Sequence, residues 1–265
     1  MTVKEKIQRA AAAAVLSRMI KYVRKDPDTN LVKLIDKSEL FVGNIFPSKN
    51  FDSFREGAKD PDNIWRQLGL RLLNETDDNV IMNMALALGL GAAVNGTKAV
   101  RTNREKYHCN IPWVILLDPT SACNRKCKGC WSAEYGHKQS LTFDELNDIV
   151  NQGVAMGTHF YMFTGGEPLL RKKDLIKLCE LHPDCAFLSY TNADLVDEEF
   201  CEEMKRVGNI ALAISIGQQG EQRRKTRRGQ LRPCHAGYGS AQEQGVPVRY
   251  LRMLHPRKRG RGHLR

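Results

Sequence analysis

Trp113-Val-Ile-Leu-Leu-Asp118 is a continuous apolar run of strand length, the pattern of a strand covered on both faces. Downstream of it, helix and strand patterns alternate. A helix is predicted over Thr142 to Met156, opened by Thr142 with Glu145 three positions later, the spacing of a capping box. A strand at His159 to Thr164, a helix at about Lys172 to Leu181, a strand at Ala186 to Thr191, a helix at Asp197 to Val207 and a strand at Ile210 to Ile216 complete the series. The alternation predicts an α/β fold: a parallel sheet with helices outside, curling as an incomplete (β/α) barrel of the TIM type with about four β/α units. Ligands of such barrels bind at the carboxyl ends of the strands. The loops after Asp118, Thr164, Thr191 and Ile216 are therefore where function is expected.

Upstream the period is helical. Ile7, Ala11, Val15, Met19 and Val23 recur every four residues within 3–25, and Asp26-Pro27 stops that helix. Leu31 to Phe41 reads as a second helix. Pro61-Asp62-Asn63 opens a third, with Ile64, Leu68 and Leu72 on one face, and Asp77-Asp78-Asn79 caps a fourth that runs to about Val94 before Asn95-Gly96 ends it. Residues 1–95 thus read as a small all-helical region, 96–110 as a polar linker, and 111–216 as the β/α core. No apolar run reaches the roughly 18 residues of a bilayer span. Val80 to Val94 comes nearest and carries Asn83, which suits a buried or interfacial helix, with peripheral membrane contact as the other reading. The start Met-Thr-Val-Lys-Glu-Lys has no export pattern, so a cytoplasmic location is expected. Eight cysteines in that setting are expected to be thiols or metal ligands rather than disulfides.

The net charge of +11 first suggests a nucleic-acid binder. Its location argues otherwise: Gly217 to Arg265 holds 11 Arg and 2 Lys against 2 Glu, which leaves positions 1–216 neutral. Nucleic acid is not an expected partner. The segment 217–265 has no apolar periodicity and reads as a disordered basic tail. It also reads as a shifted reading frame. Gln230-Leu-Arg-Pro-Cys-His-Ala-Gly-Tyr-Gly239, given suitable codons and regrouped one base later, becomes Ser-Tyr-Asp-Arg-Val-Met-Gln-Ala-Met, an amphipathic helix of the kind a further barrel unit requires. On that reading the core is truncated, and Ile210 to Ile216 is left as a bare edge.

Two motifs carry chemistry. Cys123-Asn-Arg-Lys-Cys127-Lys-Gly-Cys130 comes after the first strand and places three thiols within eight residues. Zinc and free thiols are the plainer readings. Structural zinc wants four protein ligands, and Cys109, the nearest further thiol, precedes the strand. Three ligands with a vacant fourth position suit a [4Fe–4S] cluster with one open iron. Phe163-Thr164-Gly165-Gly166-Glu167-Pro168 ends the second strand. Paired glycines let a ligand approach the backbone, and Glu167 supplies an acceptor for an ammonium group. Cys109, Cys179, Cys185 and Cys201 are not expected to be ligands, and Cys179 and Cys201, on predicted helices among apolar residues, read as buried structural thiols. His137, His159 and His182 have no partner spacing.

Over about Trp113 to Ile216 the chain resembles the radical S-adenosylmethionine enzymes, within the broad group related to molybdenum-cofactor, quinone-cofactor and peptide-modifying members. The resemblance implies that Cys123, Cys127 and Cys130 hold three irons of a [4Fe–4S] cluster. The fourth iron would bind the amino and carboxylate groups of S-adenosylmethionine, and Gly165, Gly166, Glu167 and Pro168 would contact that amino group. Asn192, in Tyr190-Thr191-Asn192, resembles the family's Thr-Asn turn, and Ser215 its fourth-strand serine, both near the cofactor. Many members of the family carry an aromatic residue just before the third cysteine, where this chain has Gly129; Trp131 comes after it instead, either covering the cluster or belonging to the core. Glu134 and Tyr135 are candidates for substrate contact. The implied activity is reductive cleavage of S-adenosylmethionine to a 5′-deoxyadenosyl radical that takes hydrogen from a substrate, small molecule or peptide, with flavodoxin or ferredoxin as the reducing partner. An inactive truncated remnant or a metal-binding protein without catalysis is the alternative reading, and nucleic-acid binding through the tail a third.

Overall fold

The computed structural model describes residues 3–42, 48–127, 130–132, 136, 138–216 and 248–252. Within them the sheet consists of β1 (Ile115–Leu117), β2 (Phe160–Phe163), β3 (Ala186–Thr191), β4 (Ile210–Ile216) and β5 (Val248–Arg252). All pairings are parallel, and the spatial order is β1-β2-β3-β4-β5. Three helices link the first four strands: α7 (Phe143–Met156), α8 (Lys172–Leu181) and α9 (Glu198–Val207). The capping box that opens α7 is present, with Thr142 Oγ1 accepting from Glu145 N–H and Glu145 accepting from Thr142 N–H. Asp197 caps α9 by accepting from Phe200 N–H.

Register decides which face is covered. Ile115, Tyr161, Phe187 and Ile210 align in one row, and Leu117, Phe163, Ser189 and Leu212 in another. Both rows meet Leu146 and Val150 of α7, Leu175 and Leu178 of α8, and Phe200 and Met204 of α9 in a single core. Phe187 stacks between Tyr161 and Phe163, with ring centroids 5.6 and 5.5 Å away. All three helices therefore lie on one face, the arrangement of a curling barrel rather than of a sheet wound on both sides. The alternate row, Leu116, Met162, Leu188 and Ala211, lies on the other face, and Leu116 there is 59% exposed. The expectation that the first strand is covered on both faces is corrected: helices cover one face, and the inside of the incomplete barrel is open.

The bare edge expected at Ile210 to Ile216 is also corrected. β5 lies along β4 in parallel register, Leu212 opposite Val248 through Ile216 opposite Arg252, inside the segment expected to lack regular structure. The rest of that segment, 217–247 and 253–265, lies outside the described residues.

The chain opens on the helices α1 (Val3–Lys25), α2 (Pro27–Val42), α3 (Ser48–Lys59) and α4 (Ile64–Glu75). Helix α3 had no clear sequence signal; it buries Phe51 and Ala58, and its Arg55 pairs with Asp36 and Glu39 of α2. Asn63 caps α4 as its position suggested, but Ile64 and Leu72 are exposed. The linker expected over 96–110 is helical instead. α5 (Asp78–Ala85), a π-helical stretch (Leu86–Gly96) and α6 (Thr97–Tyr107) run on as one helix from Asp78 to Tyr107. The glycines read as a stop serve close approach: a Cβ on Gly91 would lie 2.2 Å from Asp184 O, and one on Gly96 2.6 Å from Gly157 O. By length and composition this helix could cross a membrane, although no uninterrupted apolar run in it is that long. Here it lies against α9, α7 and β3.

Candidate metal centre

The cysteines sit on a long loop closed at its base. Thr120 and Ser140 form an antiparallel bridge, with 2.6 Å between their hydroxyl oxygens. Ser121 N–H donates to Gln139 O at 2.8 Å and Leu141 N–H to Pro119 O at 3.1 Å. Arg171 clamps the same base, donating to Leu141 O at 2.6 Å and Pro119 O at 3.3 Å.

The glycine motif runs beside this base as a continuation of the β1–β2 pairing. Thr164 N–H donates to Leu117 O, Gly166 N–H to Thr120 O and Glu167 N–H to Ala122 O, at 2.9, 3.0 and 2.8 Å. Gly165 has φ +99°, where an L side chain is strained, and a Cβ on Gly166 would lie 2.0 Å from Ala122 O. In this structure the close approach that the glycines permit is made by the chain itself, one residue before Cys123.

Glu167 is 1% exposed. Its Oε1 accepts from Thr191 Oγ1 at 2.7 Å and Leu169 N–H at 3.1 Å, and its Oε2 accepts from Asn192 N–H at 2.9 Å. Burial pushes its pKa up, and these hydrogen bonds oppose the rise. Glu167 thereby joins the end of β2 to the end of β3. Pro168 comes next, buried, at the start of a short 3-10 turn, Pro168–Arg171. Asn192 in turn donates from Nδ2 to Asn124 Oδ1 at 2.8 Å, on the cysteine loop. Ser215 stands one residue past Ile214, the register partner of Thr191, and is half-buried at the end of β4.

Cys123, Cys127 and Cys130 are free and half-buried. Cys130 N–H donates to Cys127 O at 3.3 Å, and Arg125 N–H donates to Cys123 Sγ at 3.4 Å. Burial raises the Cys123 pKa first, the Arg125 amide opposes it, and Glu167, Cys127 and Cys130 raise it further. Three potentially anionic groups thus stand close enough to act on Cys123. Ionising them together needs a positive centre among them, which is the chemistry of a thiolate-bound iron–sulfur cluster. Three free thiols on one loop, with an amide donor on Cys123 Sγ, are the donor set of a four-iron cluster with one open iron.

The remaining thiols stand elsewhere. Cys109 is exposed on the segment entering β1, while Cys179, Cys185 and Cys201 are buried in or beside the helix-covered core, with Cys201 pushed up to about 11 by burial. Trp131 is 54% exposed and so is not part of the core. Gly129, Glu134, Tyr135 and His137 lie outside the described residues. Sequence reasoning passed over Asn124, Arg125 and Asp194. The first two lie between Cys123 and Cys127, and Asp194 stands two residues past Asn192.

The profile of the Radical SAM superfamily matches residues 117–256. The chain belongs to the Radical SAM superfamily. Its members are enzymes that use a [4Fe–4S] cluster and S-adenosylmethionine and need a reductant. The match runs past Ile216 through β5, so the family pattern continues beyond the expected end of the core. A GTP 3′,8-cyclase of Alkaliphilus oremlandii is 31% identical over 108 residues, covering 38% of this chain and 34% of the relative. An Fe-coproporphyrin III synthase of Methanosarcina barkeri is 27% identical over 141 residues, covering 51% of this chain and 35% of the relative. This radical SAM chain therefore spans about a third of the length of those two curated relatives. Among solved structures, Streptococcus suis SuiB bound to its precursor peptide SuiA superposes with a TM-score of 0.48 at 18% identity, over 58% of this chain and 36% of that one. The enzyme anSMEcpe with bound AdoMet gives 0.45 at 18% identity, over 52% and 43%.

Proposed function

We propose that this chain binds the cluster and S-adenosylmethionine of a radical SAM enzyme through Cys123, Cys127, Cys130 and the strand-end loops beside them. One observation carries the reading: hydrogen bonds through Ala122 and Glu167 bring the three-cysteine loop, the glycine motif and the Thr191–Asn192 turn together at the carboxyl ends of β1, β2 and β3. When bound, the cluster supplies one electron to the sulfonium, breaking its 5′ carbon–sulfur bond to give methionine and a 5′-deoxyadenosyl radical that takes a hydrogen atom from substrate.

The protein's part is to position and to shield. Cys123, Cys127 and Cys130 hold three irons. The backbone of Gly165 to Pro168 would take the amino group of the methionine moiety, with Glu167 fixing that loop and adding negative charge near it. Asn192 and Ser215 line the cofactor from β3 and β4. The half-open face beside Leu116 and Met162 leaves room for a substrate, a small molecule or a peptide, and the electron donor is of the flavodoxin or ferredoxin type.

Anaerobic reconstitution with iron and sulfide tests this. The expected product is a brown protein with about four irons per chain that forms 5′-deoxyadenosine on reduction with S-adenosylmethionine, both lost in Cys127→Ala. A colourless protein that takes up zinc instead and forms no 5′-deoxyadenosine overturns it.

A further inference from the structure

We propose that Arg125 and Asp194 are positioning residues: their ion pair sets how the cysteine loop sits on the end of β3, and so how Cys123 is presented to the centre. The role at the cluster rests on the function proposed above; the pair itself is a property of the apo chain.

Arg125 lies between the first two cysteines, and its guanidinium grips Asp194 with two prongs, Nε to Oδ2 at 2.5 Å and Nη2 to Oδ1. Both side chains are largely buried, 23% and 20% exposed, so water screens the pair less than it does a surface pair. A second thread runs beside it: Asn192 Nδ2 donates to Asn124 Oδ1 at 2.8 Å, and Asn124 Nδ2 to Asp194 Oδ2 at 3.4 Å. Two consecutive loop residues are thus tied to the turn at the end of β3. The residue whose guanidinium is tied also donates its backbone N–H to Cys123 Sγ at 3.4 Å. Moving the guanidinium moves that donor, and hydrogen bonds to cluster sulfurs are among the features that set reduction potential.

The turn on the β3 side is built for this contact. Ala193 has φ +64°, a left-handed conformation that strains a residue with a Cβ, and the residue is 1% exposed. The strain is held by Ala193 N–H donating to Thr191 Oγ1 and Asp194 N–H donating to Asn192 Oδ1, both at 3.0 Å. The result is that Asn192 and Asp194 both reach the cysteine loop. A pair that merely fastened this turn would leave the thiols indifferent to its loss.

The test compares wild type, Asp194→Asn, Arg125→Lys and the exchanged pair Arg125→Asp/Asp194→Arg. In the apo chain, maleimide labelling mapped by mass spectrometry should show Cys123 reacting about tenfold faster in Asp194→Asn, with Cys179 still protected as a sign of an intact core. After reconstitution the single variants should shift the cluster's reduction potential and its reduced-state EPR signal, and the exchanged pair should move both back toward wild type. Unchanged Cys123 labelling in folded single variants, or an exchanged pair no closer to wild type than the singles, overturns the proposal. If wild type takes up no cluster, the proposed function fails, while the labelling rates still decide whether the pair positions the loop.

Discussion

At the amino end of the sheet, polar side chains are occupied by the protein's own backbone; at the carboxyl end, they hold loops around an opening. Asn209 Nδ2 donates to the carbonyls of Cys179, His182 and Cys185 at 3.1, 3.0 and 3.0 Å. Tyr161 Oη donates to Val150 O and Thr158 O, both at 3.0 Å, and the buried His159 ring sits between Gly157 O and Asp184. The long helix seals that end through Gly91 and Gly96. At the other end Glu167, Asn124, Asn192 and Asp194 join loop to loop, and three thiols remain half-buried between the loops. Comparable hydrogen-bonding chemistry therefore serves closure at one end and spacing at the other.

The largest effects expected on this comparison come from a matched pair of glycine substitutions. In Gly166→Ala and Gly91→Ala the new methyl meets a backbone oxygen, at 2.0 and 2.2 Å, and neither oxygen can rotate away. Each should cost about 3 kcal/mol in urea unfolding. Only Gly166→Ala should also abolish iron retention, so equal iron content in both variants breaks the contrast.

Removing hub side chains should give somewhat less. Glu167→Ala removes the acceptor of Thr191 Oγ1 and of two backbone N–H groups, and Asn209→Ala removes a donor from three carbonyls. About 2 kcal/mol is expected for each, although His182 O keeps the Cys185 N–H as a donor when Asn209 is lost. Iron per folded chain should fall in Glu167→Ala and hold in Asn209→Ala.

A smaller, pH-dependent effect belongs to the amino end. His182 Nε2 lies 2.8 Å from Asn147 Oδ1, and burial lowers the His182 pKa against the opposing charge of Asp184. A folded pKa below the unfolded value of about 6.5 stabilises above that value and is lost as pH falls through the folded one. Melting temperature should therefore drop between pH 7.5 and pH 5 more in wild type than in His182→Gln; parallel curves would clear His182 of any part in the acid sensitivity. The smallest effect is expected for Cys109→Ser: stability within about 0.5 kcal/mol of wild type and iron content unchanged.

Much of the β/α alternation was legible because its signals are local. Thr142 with Glu145, Asp197 before α9, and the apolar runs Ala186–Thr191 and Ile210–Ile216 each declare their element within a few residues. Gly96 misled because a glycine that stops a helix and one that lets a helix touch another backbone look the same in sequence, and only Gly157 O, 2.6 Å from its Cβ position, tells them apart. Leu116 misled because an apolar run cannot say whether its second face is covered by helices or left open inside a barrel. At the centre, the cysteines and Gly165 to Glu167 stood out by spacing. Arg125 and Asp194 did not, since a charged pair 69 residues apart carries no periodicity and resembles any two surface residues until the turn at Ala193 brings them together.

Strand order in the sheet is the order of synthesis, β1 through β5 without a crossing. Each β/α unit leaving the ribosome meets the edge laid down just before it, and no later strand has to be inserted between two already paired. Parallel pairing is slow because its partners are distant in sequence. From β1 to β4 that delay is taken in short instalments, each holding one helix of the core and one strand, and the edge waiting at any moment is the one that the next unit covers.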